Sequence, residues 1–192
     1  MGDSILYGEN QNDIFIRAQG RMTVNICYEL RNRVFNRLDD QPPVGNIFLD
    51  LSRCDYMDST FMGIMLGINK KMKRTTDLGL TVVCPTEECN NLFLGLNILK
   101  LFTVRESVVA FPETMETISV REKPGPEVIL YAHDDLIEIS ETNAEKFRVL
   151  RNILQKRVVE EREKNLARHV ETDDDPEDLT LPGPPGIVLP DE

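Results

Sequence analysis

Hydrophobic positions along the chain change between the spacing of strands and the spacing of helices. Short apolar or alternating runs bounded by turn residues predict strands. The run from Ile47 to Leu51 shows little alternation, which predicts a central strand with both faces covered. The predicted strands are residues 4–7, 13–19, 47–51, 78–84 and 102–105.

Apolar residues three and four positions apart predict helices between these strands. One helix follows Gly20 with Thr23 as its N-cap, and a second runs from Ser59 to about Arg74. The stripe of that second helix comprises Phe61, Ile64, Met65, Ile68 and Met72. Strands alternating with helices predict an α/β fold in which helices cover a mixed β-sheet.

Signals weaken towards the middle of the chain. Residues 85–88 have the cap and acidic first turn of a helix that reaches about Leu94. Beyond Arg105 two alternatives stay open: a last helix over residues 113–120, or a strand over residues 107–111. The first domain is therefore predicted to span residues 1–120.

Residues 121–170 are predicted to be a linker, Arg121 to Pro126, and a C-terminal helical extension. The helix starts at Ser140 or Thr142 and reaches about Arg168. Its apolar stripe must be buried somewhere: against the first domain, against the same helix of a second copy in a homodimer, or against another partner. The stripe consists of Phe147, Leu150, Leu154 and Val158.

The net charge of −11 is concentrated at the end of the chain. Residues 171–192 contain eight acidic side chains, five prolines and no Lys or Arg, which leaves −3 for residues 1–170. This composition predicts a disordered acidic, Pro-rich tail. The nearly balanced remainder gives no support to nucleic-acid binding.

Composition argues against catalytic and metal sites. The four cysteines, Cys27, Cys54, Cys84 and Cys89, have no CxxC pairing and are interpreted as buried reduced thiols. His133 and His169 are isolated, and nothing in the sequence pairs either of them with a nucleophile. We therefore predict no catalytic residues, no metal and no cofactor, and a protein that is not an enzyme.

No apolar run is long enough to span a membrane, and the N-terminus lacks the basic and apolar regions of a signal peptide. The expected location is the cytoplasm, without membrane association.

The junction between the central strand and the second helix is the best candidate site. Asp58-Ser59-Thr60 places a hydroxyl at the first turn of a helix, where several backbone N–H groups lack partners. Such a hydroxyl can cap the helix or hold a phosphate. Ser59 is accordingly interpreted as a switch residue in a binding protein, with an unmodified helix cap as the alternative.

The order of elements resembles the STAS domain of bacterial anti-sigma factor antagonists over roughly residues 4–120. The resemblance rests on Phe48-Leu49-Asp50-Leu51, then Tyr56-Met57-Asp58-Ser59-Thr60, then a helix containing Gly and Met. It implies a STAS-like mixed sheet flanked by helices. It also implies partner switching: the antagonist binds an anti-sigma factor that is also a serine kinase, phosphorylation breaks the complex, and a serine phosphatase restores it.

By this resemblance the phosphorylation site maps onto Ser59. The sequence departs from the family in two places: Phe61 replaces a Gly, and Arg21-Met22-Thr23 replaces a loop with an acidic residue. Phe61 either fills a notch on the partner-facing surface or serves as an anchor. The residues predicted to bind the partner are Arg21, Met22, Thr23, Met57, Asp58, Thr60, Phe61 and Met62.

A second class of function stays open at this stage. A STAS module that is not phosphorylated could act as a scaffold, or could bind a small anion or nucleotide at the same helix N-terminus. The two classes differ in whether Ser59 accepts a phosphoryl group.

Overall fold

The computed structural model describes residues 2–119 and 123–172, with side chains described as far as Leu166. The chain divides into two compact units, residues 1–158 and residues 159–192. Residues 173–192, which include most of the predicted acidic tail, lie outside the described residues, as do residues 121 and 122 of the predicted linker. The predicted domain boundaries at 120 and 170 stay predictions.

The described part of the first unit is built on one six-stranded mixed sheet. Its order is β5-β4-β3-β2-β1-β6, with β1 antiparallel to both of its neighbours and the other pairs parallel. The strands are β1 (Ser4–Asn10), β2 (Asp13–Met22), β3 (Ile47–Met57), β4 (Thr81–Val83), β5 (Thr103–Arg105) and β6 (Glu116–Thr117).

Helices alternate with the parallel strands and then follow the sheet in sequence. In the described residues they are α1 (Val24–Asp39), α2 (Ser59–Thr76), α3 (Glu87–Gly95), α4 (Pro126–Ile137) and α5 (Glu141–Thr172), with a 3₁₀ turn at Leu99–Leu101. The α/β fold with a mixed sheet flanked by helices is confirmed, and α4 is an addition to the single C-terminal helix expected.

The core lies between the sheet and the helices. β3 is central, and Ile47, Leu49 and Leu51 are all buried, as the lack of alternation predicted. The stripe predicted for α2 is also buried. On the sheet, Phe15 stacks on Phe48 with ring centroids 5.3 Å apart.

Both alternatives for the stretch after Arg105 are wrong. Within the described residues, 113–119 contain the strand β6 instead of a helix, and residues 107–111 are irregular. The backbone N–H of Ile118 donates to the carbonyl of Ile5 (2.8 Å), and Ile118 is buried. The two-residue strand covers the edge of β1, which would otherwise expose unpaired backbone groups.

Residues 126–158, α4 and the part of α5 up to Val158, are called here the C-terminal hairpin. The backbone N–H of Asn143 donates to Oγ of Ser140 (3.2 Å), so α5 starts at the first of its two predicted positions. Leu154 and Val158 form a small apolar cluster with Leu130 of α4. Of the stripe, Phe147 joins the main core, as the first alternative expected, whereas Leu154 and Val158 pack on α4 of the extension itself and Leu150 is 37% exposed.

In the second unit, the described residues are the helical end of α5. Its side chains from Val159 to Leu166 are exposed. Among the residues that the structure describes, no helix combines the length and the apolar character needed to cross a membrane.

Candidate functional site

The start of α2 is capped by Asp58, so the alternative that Ser59 serves only as a helix cap is wrong. Asp58 Oδ1 accepts a hydrogen bond from the backbone N–H of Phe61 (2.8 Å). Its other oxygen, Oδ2, accepts one from the N–H of Val24 at the start of α1 (2.8 Å). Thr23, the predicted N-cap of α1, makes no side-chain capping bond. One carboxylate thus caps two helices, and the hydroxyl of Ser59 is left for another partner.

That partner is His133 of α4. Ser59 is the first residue of α2 and half-buried, and its Oγ lies 2.9 Å from Nε2 of His133. The other ring nitrogen, Nδ1, lies 2.8 Å from the carbonyl oxygen of Ile129. Because a carbonyl only accepts, Nδ1 must carry the hydrogen, and Nε2 of the neutral ring accepts from the Ser59 hydroxyl.

His133 is held as a neutral acceptor by its surroundings. Its side chain is buried, 1% exposed, and meets Phe147 of α5 edge-on with ring centroids 5.0 Å apart. Burial lowers the pKa of the His133 imidazole below its ordinary value, while the Ile129 carbonyl and the carboxylates of Asp58 and Asp134 oppose that shift. The bond to Ser59 therefore persists at neutral pH.

We expect acid to weaken this contact. Since the pKa of His133 is lower in the folded chain than in the unfolded one, the unfolded chain binds more protons, and stability falls as pH drops through about 6.5. Protonation also turns Nε2 into a donor, so the Ser59 hydroxyl must reverse its role. Urea denaturation at neutral pH and near pH 5.5 should show this loss in the wild type and a smaller loss in His133→Gln. Equal losses of stability in the wild type and in His133→Gln would contradict the conclusion that His133 is neutral in the folded chain.

Most of the side chains predicted to bind a partner are interior. Met22, Met57, Thr60, Phe61 and Met62 are all buried, and Phe61 is fully so. In this conformation Met22, Met57, Phe61 and Met62 belong to the core beneath the start of α2, and their role in partner binding stays a prediction. Of the predicted set, Arg21 is exposed, and Thr23 and Asp58 are half-buried.

The remaining predicted residues meet at one end of the sheet. Arg21 of β2 is in register with Tyr56 of β3, which brings two distant parts of the sequence together. The Arg21 guanidinium lies 4.3 Å from the centroid of the Tyr56 ring, a cation–π contact. The surface beside Ser59 is therefore both aromatic and cationic.

A cavity of about 280 Å³ adjoins Ser59. It lies between the start of α2, helix α3 and the first turns of α5, and Tyr56 and Lys146 contribute to its wall. The Lys146 ammonium is 5.7 Å from the centroid of the Phe147 ring. A negatively charged group on Ser59 would thus have a cation on the same cavity wall.

The thiols show no sign of a metal site. Cys27, Cys54 and Cys89 are buried and Cys84 is half-buried, and all four are free. Hydrogen bonding with Cys54 lowers the pKa of the Cys89 thiol to about 7. The same hydrogen bond, together with burial, raises the pKa of the Cys54 thiol. Across the described residues, no group of three or more His, Cys, Asp or Glu side chains is placed to hold a metal ion.

The strand–turn–helix that presents Ser59 lies inside a recognised domain. The STAS domain model matches residues 5–110, more than half of the chain. The chain belongs to the STAS domain family. No curated protein sequence matches it.

Several solved structures of anti-sigma factor antagonists are similar to the chain at low identity. SpoIIAA, an anti-sigma factor antagonist, in its unphosphorylated form is 16% identical over 53% of this chain and 87% of that one, with a TM-score of 0.47. The Bacillus cell fate determinant SpoIIAA in the phosphorylated form is 17% identical over 53% and 90%, with a TM-score of 0.44. An anti-sigma factor antagonist from Mycobacterium paratuberculosis is 17% identical over 56% and 88%, with a TM-score of 0.46.

The C-terminal hairpin lies outside the matched STAS residues, yet it supplies the direct partner of Ser59. Sequence reasoning left His133 isolated, which was wrong. A signal was present: Leu130, His133 and Leu136 recur at a spacing of three, which places His133 on the apolar face of a helix. Nothing in the sequence says which surface that face covers.

Proposed function

We propose that this STAS protein is an anti-sigma factor antagonist-like signalling protein of the bacterial cytoplasm. It binds an anti-sigma factor that is also a serine kinase, is switched off by phosphorylation at Ser59, and is reset by a serine phosphatase. It acts by binding and not as an enzyme. The observation that carries the proposal is the position of the Ser59 hydroxyl: it belongs to the first residue of α2, is half-buried, and does not cap the helix.

The charge change explains how the switch would work. A phosphoserine adds about −1.5 to −2 charges, which the N-terminus of a helix tolerates because its backbone N–H groups point towards the anion. Asp58 is already negative one residue earlier and must keep both of its capping bonds. Two adjacent anions repel a partner that docks closely on this surface, while the sheet and the core below it are unchanged.

The docking surface is proposed to include Arg21, Thr23 and Asp58, which frame Ser59 at the end of β2 and the start of α2. A homodimer through α5 also stays a prediction. Phe147, Leu154 and Val158, three of the four stripe residues, are already packed within the chain, so a dimer would have to use another face of that helix.

We expect phosphorylation to depend on Ser59 alone. Incubating the wild type with ATP and an extract of its native cells should add the mass of one phosphoryl group, and Ser59→Ala should add none. Thr60→Ala is the matched control because Thr60 is the neighbouring hydroxyl but is buried; it should be modified like the wild type. Intact-mass spectrometry measures all three.

Two outcomes would count against the proposal. Equal phosphate uptake by Ser59→Ala and the wild type would place the modified residue elsewhere. No uptake by any variant would favour the alternative function, a STAS scaffold or small-anion module, for which the cavity beside Ser59 and Lys146 is the available site.

A further inference from the structure

We propose that the C-terminal hairpin masks Ser59 in the free protein, and that α4 must move away before a kinase or a binding partner reaches this residue. The proposal rests on the hydrogen bond that His133 of α4 makes with the half-buried Ser59. Its regulatory meaning rests on the proposed function, because a masked hydroxyl matters only if Ser59 is a switch.

The closest part of the mask is a glycine contact between α2 and α4. A Cβ added at Gly63 would overlap the backbone of Ala132, lying 2.6 Å from its carbonyl carbon and 2.9 Å from its Cα. Glycine inside a helix costs about 1 kcal/mol relative to alanine. Here it lets the backbone of α4 pack directly on α2, one turn from Ser59.

The second part of the mask is the histidine itself. Two hydrogen bonds, to the Ile129 carbonyl and the Ser59 hydroxyl, fix the ring of His133. The imidazole occupies one of the directions from which a phosphoryl donor could approach Oγ. Its burial shows that no water-filled gap separates α4 from the start of α2 at this point.

Polar contacts hold the far end of α4. Lys70 of α2 donates to Asp135 Oδ1 and Glu138 Oε2, both at 2.7 Å. Within the hairpin, Arg151 pairs with Asp134 at 2.6 Å. Ion pairs that are partly exposed are individually weak, so a partner can replace these polar contacts more easily than the buried packing of Leu136 and Phe147.

Opening the hairpin would remove only a small part of the main core. Ala132 and Leu136 are the α4 members of the main core, whereas the sheet and α1 to α3 supply most of it. Displacing α4 would expose the face of α2 that carries Gly63 and Gly67, next to Ser59. A partner that docks at Ser59 could then also contact this newly exposed face of α2.

Two glycine variants test the mask in the full-length chain. In a Ser59→Cys background, Gly63→Ala should push α4 away and raise the rate of alkylation of the new thiol roughly ten- to a hundredfold, because the added methyl overpacks against backbone. Gly67→Ala is the matched control. Its methyl would meet the end of the Asp135 side chain at 2.9 Å, which can turn aside, with the Phe35 ring at 3.6 Å. Because that shift disturbs only the ion pair with Lys70, the rate should rise far less than in Gly63→Ala.

Peptide mapping after iodoacetamide treatment reads residue 59 separately, and the half-buried Cys84 serves as an internal reference. Equal rates in the two glycine variants, with unchanged circular dichroism, would overturn the masking proposal. A rate increase at Cys84 as large as that at residue 59 would indicate global loosening and would also overturn it.

A second pair of variants keeps the test decisive if Gly63→Ala folds poorly. Lys70→Ala removes the ion pairs to α4, whereas Lys71→Ala removes a pair to Asp39 at the end of α1. We expect alkylation about two- to fivefold faster in Lys70→Ala alone. No difference between the two lysine variants would argue against the mask.

The phosphorylation assay separates this inference from the proposed function. With Ser59 present, Gly63→Ala should take up phosphate faster than Gly67→Ala. If both take it up at the same rate, the switch stands and the mask is wrong. If neither takes up phosphate, the proposed function fails, and the alkylation rates still decide whether α4 covers residue 59.

Discussion

Phe61→Ala is expected to lower the free energy of unfolding by about 3–5 kcal/mol. The Phe61 ring is fully buried and is among the largest side chains with no exposed surface. Removing it leaves a cavity beneath the first turn of α2, which the surrounding sheet can fill only in part. Urea denaturation followed by circular dichroism measures the change.

The control for this prediction is Leu94→Ala on α3, because Leu94 is 59% exposed. We expect its effect to stay within about 0.5 kcal/mol. If Phe61→Ala were as mild as Leu94→Ala, the ring would have to be at the surface, and its interpretation as a partner-binding anchor would return.

Asn143→Asp is expected to be equally damaging at neutral pH. Asn143 is fully buried, and its Nδ2 donates to the carbonyls of Leu96 (2.9 Å) and Leu136 (3.0 Å). An aspartate of the same shape has no hydrogens to donate and directs a negative charge at those two oxygens. An uncompensated buried charge costs about 3–5 kcal/mol.

The pH dependence identifies the cause. Burial raises the pKa of a carboxyl group, so the folded variant binds its proton more tightly than the unfolded chain does. The stability difference from the wild type should therefore grow as pH rises above about 4 and shrink as pH falls towards that value. Asn36→Asp, on the exposed side of α1, should show no comparable loss. A loss for Asn143→Asp that does not vary with pH would contradict this account.

The sequence predicted the β3–α2 junction because its signals are local. A continuous apolar strand, a short turn and a helical stripe are each visible within a few residues of one another. The same stripe contained Phe61, and burial of that stripe is what the structure shows. The partner-binding role given to Phe61 came from the resemblance and stays a prediction, whereas the periodicity placed Phe61 on the buried stripe, as observed.

The sequence could not predict contacts between residues that are far apart along the chain. Ser59 and His133 are separated by 74 positions, and only packing of α4 on α2 brings them together. Asp58 likewise caps α1 from a position 34 residues away, so the Thr23 cap predicted from local preference was not used. The helix over residues 113–120, one of two alternatives left open, was wrong because pairing of Glu116 and Thr117 with β1 decides the local conformation, and composition does not.

Asp58 also makes the beginnings of α1 and α2 electrostatically interdependent. Since its two oxygens accept from Phe61 and Val24 at the same distance of 2.8 Å, any field that disturbs this carboxylate is felt by both helices. A phosphate on the next residue, Ser59, would therefore change the electrostatic potential beyond α2, at the segment that contains Arg21 and Thr23. Phosphorylation of one residue would thus alter the docking surface at two segments, the start of α2 and the start of α1.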